Sequence, residues 1–257
     1  MKILFSADWH IKLGQKNVPR DWQKNRYEML FSSINDINAD IHILGGDVFD
    51  TLPKPDEIAL FFEFVANSNK LTYIYDGNHE ATRKGKTFLT FFKDAVQKIN
   101  PLVYIIDGIE THALGNEEEP ILIDFIPYTH IKNFKYEKDF EQNGSDICCT
   151  HVRGNILPHV IEEVDLDIFA DWKTVRAGDL HAHANSQKNI LYPGSPLAIT
   201  FHRNPVENGI ILFETKDHSY DFIPLKLPQL IRKTVSSKDE IVKTIYDHTI
   251  YEITGNV

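Results

Sequence analysis

The sequence predicts an α/β fold, a pair of mixed β-sheets covered by helices, with a smaller β-α-β unit opening near its end. Three observations predict it. Short β-branched runs recur, each broken by turn residues. Segments of helical length, with apolar spacing near 3.6, separate the early runs. The second half of the chain has shorter, strand-dominated spacing.

Strands are predicted at 2–7, 41–44, 71–75, 102–106, 121–126, 146–149, 174–177, 189–192 and 209–214. Helices are predicted at 22–37, at 56–66 after Pro55, and at 86–99 before Pro101. Proline is at home in a helix's first turn and stops a helix that precedes it. Phe61, Phe62, Phe64, Phe88, Phe91 and Phe92 lie on the apolar faces of the second and third helices, so core packing is expected of them. The acidic stretch 115–120 reads as an exposed loop. After Pro228 come a strand at 230–235, a helix-like 238–248 and a strand at 249–254, which divides the chain into domains at 1–226 and 227–257.

With 42% hydrophobic and 25% charged residues in 257, the composition excludes collagen-like, low-complexity and wholly disordered classes. No run approaches the roughly 18 uncharged apolar residues of a membrane span. A charge at Asp8 comes too soon for a signal peptide, so the cytoplasm is expected. The only two cysteines, Cys148 and Cys149, are adjacent, which argues against a disulfide framework. A net charge of -10 is wrong for a chain that grips a phosphate backbone by bulk charge. Either the substrate is not nucleic acid, or metal ions and a partner supply the positive charge.

Polar clusters follow five predicted strands at their C-terminal ends, where α/β sheets place their ligand sites. Asp8 and His10 follow the first, Gly45-Gly46-Asp47-Val48-Phe49-Asp50 the second, and Asp76-Gly77-Asn78-His79-Glu80 the third. His151 follows the Cys148-Cys149 strand, and Gly178-Asp179-Leu180-His181-Ala182-His183 follows Val175. Each alone has an ordinary explanation as a turn former, helix cap or hydrogen-bonded histidine. Five strand ends that each carry an oxygen or imidazole donor are poorly explained that way. These residue types suit a dinuclear hydrolase site, in which two divalent cations roughly 3.5–4 Å apart clamp a phosphoryl group and lower the pKa of water. Carboxylate, amide oxygen and imidazole suit manganese or a similar ion. A bridging carboxylate must approach both ions, and Asp47 on its glycine-flanked turn meets that need.

The strings Asp8-x-His10, Gly46-Asp47-x-x-Asp50, Gly77-Asn78-His79-Glu80, His151 and Gly178-Asp179-x-His181 resemble the five motifs of the calcineurin-like metallophosphoesterases. Within that superfamily, Gly-Asp-Val-Phe-Asp-Thr at 46–51 and Tyr192-x-Gly194-Ser195-Pro196 are similar to the SbcD family of DNA double-strand-break nucleases. The compact spacing is most similar to phage members, the nuclease subunit of a recombination exonuclease pair. The resemblance covers 1–224, with a weaker echo in the tail. It implies a four-layer αββα sandwich of two mixed sheets flanked by helices, with 227–257 as part of a small capping, DNA-binding domain.

The resemblance also implies two divalent metal ions, manganese first and magnesium as the alternative. Asp8, His10, Asp47 and His181 would hold one, and Asp47, Asn78, His151 and Asp179 the other, with Asp47 bridging. His79 would face the scissile phosphate and protonate the leaving oxygen, a role for an imidazole whose pKa lies near the working pH. Hydrolysis of a DNA phosphodiester would be in line, without a covalent intermediate. The implied partners are DNA, as duplex ends and single strands, an SbcC-like coiled-coil ATPase of the ABC type, and a second copy of the chain as a homodimer.

Two residues depart from the family pattern. Its last motif is normally Gly-His-x-His, and Asp179 replaces the first histidine as a still competent ligand and a third carboxylate. A slipped register pairing His181 with His183 is weighed against it, and the spacing from Gly178 to Tyr192 favours Asp179 and His181. Glu80 stands where the family has Asp, and if it orients His79, an added methylene must be absorbed. Asp50 either completes the family-like string or caps the helix that follows. Lys12, Lys16, Arg20, Lys24 and Arg26, then Arg83, Lys84 and Lys86, then His202 and Arg203, are either solvated surface or holders of the DNA backbone. Trp9 reads as core, and Trp22 is open between core and base stacking. The leading function is a metal-dependent DNA exonuclease and endonuclease of break processing and recombination. The alternatives are a phosphoesterase of small molecules or cyclic nucleotides on the same fold and, prompted by Glu80 and Asp179, a non-catalytic DNA-end scaffold for the ATPase.

Overall fold

Apolar residues dominate 2–6, 41–45 and 71–75 on both faces, the pattern of strands covered on either side. In the computed structural model, which describes residues 1–82, 86–115, 120–133 and 145–254, these strands pair in parallel. β1 (Lys2–Ser6), β2 (Ile41–Gly45), β3 (Leu71–Tyr75) and β4 (Val103–Ile106) are linked by α1 (Arg20–Asp36), α2 (Pro55–Asn67) and a 3₁₀ turn (Phe88–Phe92) leading into α3 (Lys93–Ile99). β5 (Glu110–Leu114), β6 (Ile121–Ile126), β7 (Ile147–His151), β8 (Thr174–Gly178) and β9 (Ile190–Leu191) form a second sheet, with α4 (Tyr128–Ile131) after β6. β10 (Gly209–Glu214) and β11 (Tyr220–Pro224) return antiparallel to the first sheet, giving the order β11-β10-β1-β2-β3-β4.

Strand alternation sorts the core. Ile3 and Phe5 point between the sheets, among Ile43, Tyr75, Phe125 and Cys149. Leu4 packs on the other face with Tyr27, Phe31 and Phe64 of the helices. The outer face of the second sheet buries Cys148, Val175 and Ala177 under Phe169, Trp172 and Tyr192, covered by α4 and a 3₁₀ turn at Leu166–Phe169. The result is two mixed sheets flanked by helices. β12 (Leu230–Val235) and β13 (His248–Ile253) pair in parallel as a separate two-stranded sheet. It lies against Val18 and Ala198, and Trp22 is half-buried there, its Nε1 donating to the Tyr246 carbonyl at 2.9 Å.

Several expectations need correction. The helix at 86–99 is split, because Thr87 Oγ1 accepts from the Leu89 N–H at 3.1 Å and starts a 3₁₀ turn, leaving Phe91 84% exposed rather than in the core. The helix at 238–248 is a 3₁₀ turn at Lys238–Glu240 followed by non-helical chain. There Ser236 hydrogen-bonds Glu240 and Thr244 Oγ1 donates to the Asp247 carbonyl, local bonds that compete with a helix rich in β-branched residues. β5 and β11 were not expected, being edge strands of mixed polarity. Arg26 is buried, its Nη1 donating to the Ala198 carbonyl at 2.8 Å, so it leaves the solvated basic run. In that run Lys12, Arg20 and Lys24 pair with Asp50, Asp56 and Glu28. Residues 116–119 of the acidic stretch, and Arg83 with Lys84, lie outside the described residues.

Candidate metal centre

Parallel strands end on one side, so β1, β2, β3, β7 and β8 deliver the residues that follow them to a single edge. The backbone there turns sharply. Asp8 (φ 55°), His10 (φ 47°), Asp47 (φ 49°) and Asp179 (φ 99°) all occupy left-handed conformations. A side chain there costs roughly 1–2 kcal/mol per residue, and such strain persists only where the surroundings over-determine it. Ser195 Oγ donates to the Asp8 carbonyl at 2.7 Å, Tyr27 Oη to the His10 carbonyl at 2.6 Å, and the His10 N–H to the Asp47 carbonyl at 2.9 Å. Glycine is required where the loops meet: a Cβ on Gly46 would stand 2.5 Å from His151 Nδ1, and one on Gly77 would stand 2.2 Å from Asp47 Oδ1.

The side chains converge on Asp47. His10 Nε2 lies 3.7 Å and His79 Nε2 3.8 Å from its Oδ2, while His151 Nε2 lies 3.6 Å from its Oδ1. His10 Nε2 and His181 Nε2 are 3.1 Å apart. The Asp8 carboxylate accepts from the Asp179 N–H at 3.0 and 3.2 Å. One end of the Asn78 carboxamide stands 3.0 Å from His151 Nε2, 3.2 Å from Asp47 Oδ2 and 3.3 Å from Asp179 Oδ1. His151 Nδ1 donates to the Gly45 carbonyl at 2.9 Å, which fixes the tautomer and turns the Nε2 lone pair into the cluster. Ligand atoms lie within 4.8 Å of one another in three groups: Asp8, His10 and His181; His10, Asp47 and His79; Asp8, Asp47 and His151.

This donor set fits divalent cations. Carboxylate oxygens, imidazole nitrogens and a carboxamide converge on one point, with the ring nitrogens of His10 and His181 facing each other and the Asn78 carboxamide lined by acceptors. Buried His10 Nδ1 also lacks a hydrogen-bond partner among the described residues. Electrostatics carries the same signature. Burial pushes Asp8 up to about 8 against the pull of His151, with Asp47 adding to the rise. Burial pulls His151 down, but Asp47, Asp8 and Asp179 outweigh it and lift the imidazole to about 9. Burial and the surrounding imidazoles hold His10 well below the usual range, and burial lowers His181.

His79 is fixed from two sides. Its backbone N–H donates to Asp47 Oδ1 at 2.9 Å, its Nδ1 meets the Asp50 carbonyl, and the ring remains one-third exposed. Glu80 does not orient His79: it is fully buried and accepts the backbone N–H groups of Asp47, Phe49 and Gly77. The extra methylene lets the carboxylate reach beneath both loops. Asp50 does not cap α2, which begins after Lys54; its side chain takes Lys12 at 2.5 Å and its carbonyl takes His79. His183 turns away from the cluster, its Nδ1 hydrogen-bonded to the Tyr192 carbonyl at 2.6 Å and its ring stacked on Phe222, so the slipped register is not formed. Arg203 lines a separate cavity of about 400 Å³ with Arg232 and Lys233.

A cleft of about 820 Å³ opens from Asp47, Asn78 and His79 past Ile156 and Val160 towards Ile199 and Val206. Sequence reasoning missed Arg153, whose guanidinium grips Asp179, and the supporting hydroxyls of Ser195 and Tyr27. A basic residue two positions after His151 was the available signal for the first, and the Gly-Ser-Pro turn for the second.

A family model described as calcineurin-like phosphoesterase matches residues 1–211. The chain is 40% identical over 269 residues to "Probable exonuclease subunit 1" of Escherichia phage T5, covering all of this chain and 79% of that protein. It is 25% identical over 301 residues to a subunit of the nuclease SbcCD from Staphylococcus saprophyticus, covering 98% of this chain and 74% of that one. A crystal structure of TT1561 from Thermus thermophilus shares the fold with a TM-score of 0.57 and 12% identity, over 87% of this chain and 98% of that one.

Proposed function

The chain belongs to the calcineurin-like phosphoesterase family, and from that premise we propose that it is a metal-dependent DNA nuclease of break processing and recombination. Asp8, His10, Asp47 and His181 would hold one divalent ion and Asp47, Asn78, His151 and Asp179 the other, the pair supplying Lewis acidity and lowering the pKa of water. Manganese suits these donors best. Asp47 turns one oxygen towards His151 and the other towards His10, so the one carboxylate would serve both ions. His79, with Nδ1 held by the Asp50 carbonyl, presents Nε2 as the group that protonates the leaving oxygen.

The observation that carries the reading is the convergence of donors from five strand ends, three of which turn through left-handed backbone, in a chain 40% identical to a phage protein named as an exonuclease subunit. Glu80 weighs against an inactive scaffold, because its added length is taken up by three backbone amides and leaves His79 undisturbed. The net charge of -10 fits a nuclease whose grip on DNA comes from metal ions and an ABC-type ATPase partner. A homodimer, a cytoplasmic setting and a DNA-contacting role for 227–257 complete the proposal; no helix among the described residues is long and apolar enough to cross a membrane.

The test is degradation of an end-labelled linear duplex with manganese, magnesium or EDTA, beside Asp47→Asn and His79→Ala. Manganese-dependent cleavage lost in both variants is expected. Cleavage of bis-p-nitrophenyl phosphate with none of DNA, in the presence of the ATPase subunit, would refute the DNA assignment.

A further inference from the structure

Asp179 stands where the resembling motif has histidine, and the structure pairs it with Arg153. Arg153 Nε lies 3.1 Å from Asp179 Oδ2, and Arg153 Nη2 lies 3.1 Å from Oδ1, a bidentate pairing. The two ends differ in environment: the Asp179 side chain is 5% exposed and that of Arg153 42%. The guanidinium is anchored on its inner edge and open on its outer edge, where Nη1 has no hydrogen-bond partner among the described residues. Its position is set by the backbone, because the Arg153 N–H donates to Glu163 Oε1 at 3.1 Å two residues after His151. Arg153 is also the only Lys or Arg among the described residues that line the cleft.

A phosphodiester entering this cleft brings a negative charge towards Asp47 and Asp179, and a planar guanidinium matches the geometry of phosphoryl oxygens. We propose that Arg153 is a phosphate-positioning residue, taking a non-bridging phosphoryl oxygen of the substrate through the N–H groups that Asp179 leaves open. The assignment rests on the phosphodiesterase reading and adds a protein contact to it. Asp179 then has two functions, as a metal-facing oxygen donor and as the anchor that aims the guanidinium.

The test uses the manganese-loaded full chain, with inorganic phosphate binding read by calorimetry and KM and kcat read on bis-p-nitrophenyl phosphate. Arg153→Ala is expected to weaken phosphate binding and raise KM by roughly tenfold or more, with a smaller change in kcat. Manganese stoichiometry should be unchanged, the melting temperature should fall because Asp179 loses its partner, and Arg153→Lys should recover part of the loss of phosphate binding. Phosphate affinity unchanged in Arg153→Ala would overturn the proposal. So would loss of a manganese equivalent in that variant, which would assign Arg153 to holding Asp179 alone. Wild-type protein that binds phosphate but hydrolyses no phosphodiester would sink the phosphodiesterase reading, and the calorimetric comparison would still decide Arg153.

Discussion

Glu80 accepts three backbone N–H groups at once, those of Asp47 at 3.0 Å, Gly77 at 2.9 Å and Phe49 at 2.9 Å. Replacing it with alanine removes the acceptor and leaves three buried amides facing a small void. Each unsatisfied buried donor costs about 1–3 kcal/mol, and three that share one carboxylate are coupled and sum to less than their separate values, about 3–6 kcal/mol. Against this stands relief from a buried carboxyl group, which burial and then Asp47 push up to about 8. The lower end is therefore expected, about 3 kcal/mol. At roughly 2–4 °C per kcal/mol for a chain of this size, Glu80→Ala should melt about 6–12 °C below wild type in EDTA at neutral pH. Glu80→Gln, which keeps one acceptor oxygen, should fall between. Because one of the three amides belongs to Asp47, manganese affinity should drop with stability. Scanning calorimetry and titration calorimetry read the two effects. A Glu80→Ala protein that melts within about 2 °C of wild type and loses only turnover would refute the reasoning, since that is the behaviour of a carboxylate whose task is to orient His79.

Asp47→Asn weakens the charge that His10, His79 and His151 share, so manganese binding should fall by at least tenfold with the fold retained, as read by titration calorimetry and circular dichroism. Asp8 and Glu80 are each raised to about 8 and His151 to about 9, so the folded chain holds these protons more tightly than the unfolded chain. The stability they contribute is complete below pH 4 for the acids and below about pH 6.5 for His151, and is lost as pH rises through 8 and 9. Metal-free protein should therefore melt lower at pH 9 than at pH 6, and added manganese should reverse the trend; a flat profile in EDTA would contradict this. Burial drives His42 down to about 3, with its Nε2 against Ser6 Oγ at 2.9 Å, so its contribution is present above about pH 6.5 and lost as pH falls towards 3. His42→Gln should blunt acid unfolding in a urea titration at pH 4 relative to pH 7. Asp179→His removes the third carboxylate and should shift the pH-rate optimum of the manganese-loaded chain on bis-p-nitrophenyl phosphate towards acid; superimposable profiles would rule that effect out.

The fold was legible wherever a strand is buried on both faces. β3, β6 and β10 have the predicted limits, because apolar runs with β-branched residues, bounded by turn residues, admit few alternatives. β5 and β11 were invisible for the converse reason: Glu-Thr-His-Ala-Leu and Tyr-Asp-Phe-Ile-Pro each serve an edge, and half-exposed edges carry little pattern. The segment 238–248 reads as helix-like, yet Ile245 is 97% exposed, so no apolar face is buried there to hold a helix. Within the site, the residue types after each strand named the donors, because a strand end fixes where a side chain starts. What a side chain touches depends on other segments. Glu80 adjoins His79 in sequence but answers to backbone at 47 and 49, and Arg153 meets Asp179 across 26 positions.

The left-handed backbone at Asp8, His10, Asp47 and Asp179 sets the site against the stability of its own fold. Glycine would occupy any of those four positions without the clash of a Cβ. At roughly 1–2 kcal/mol each, four relaxed residues amount to about 4–8 kcal/mol, comparable to the whole margin by which a domain stays folded. A chain with no chemistry to perform could drift to glycine at these turns and become sturdier. Three carboxylates and an imidazole held there instead place the demand on the loops at the level of individual backbone angles, and they mark these four positions as sites where a stabilising substitution and an inactivating one would be the same change.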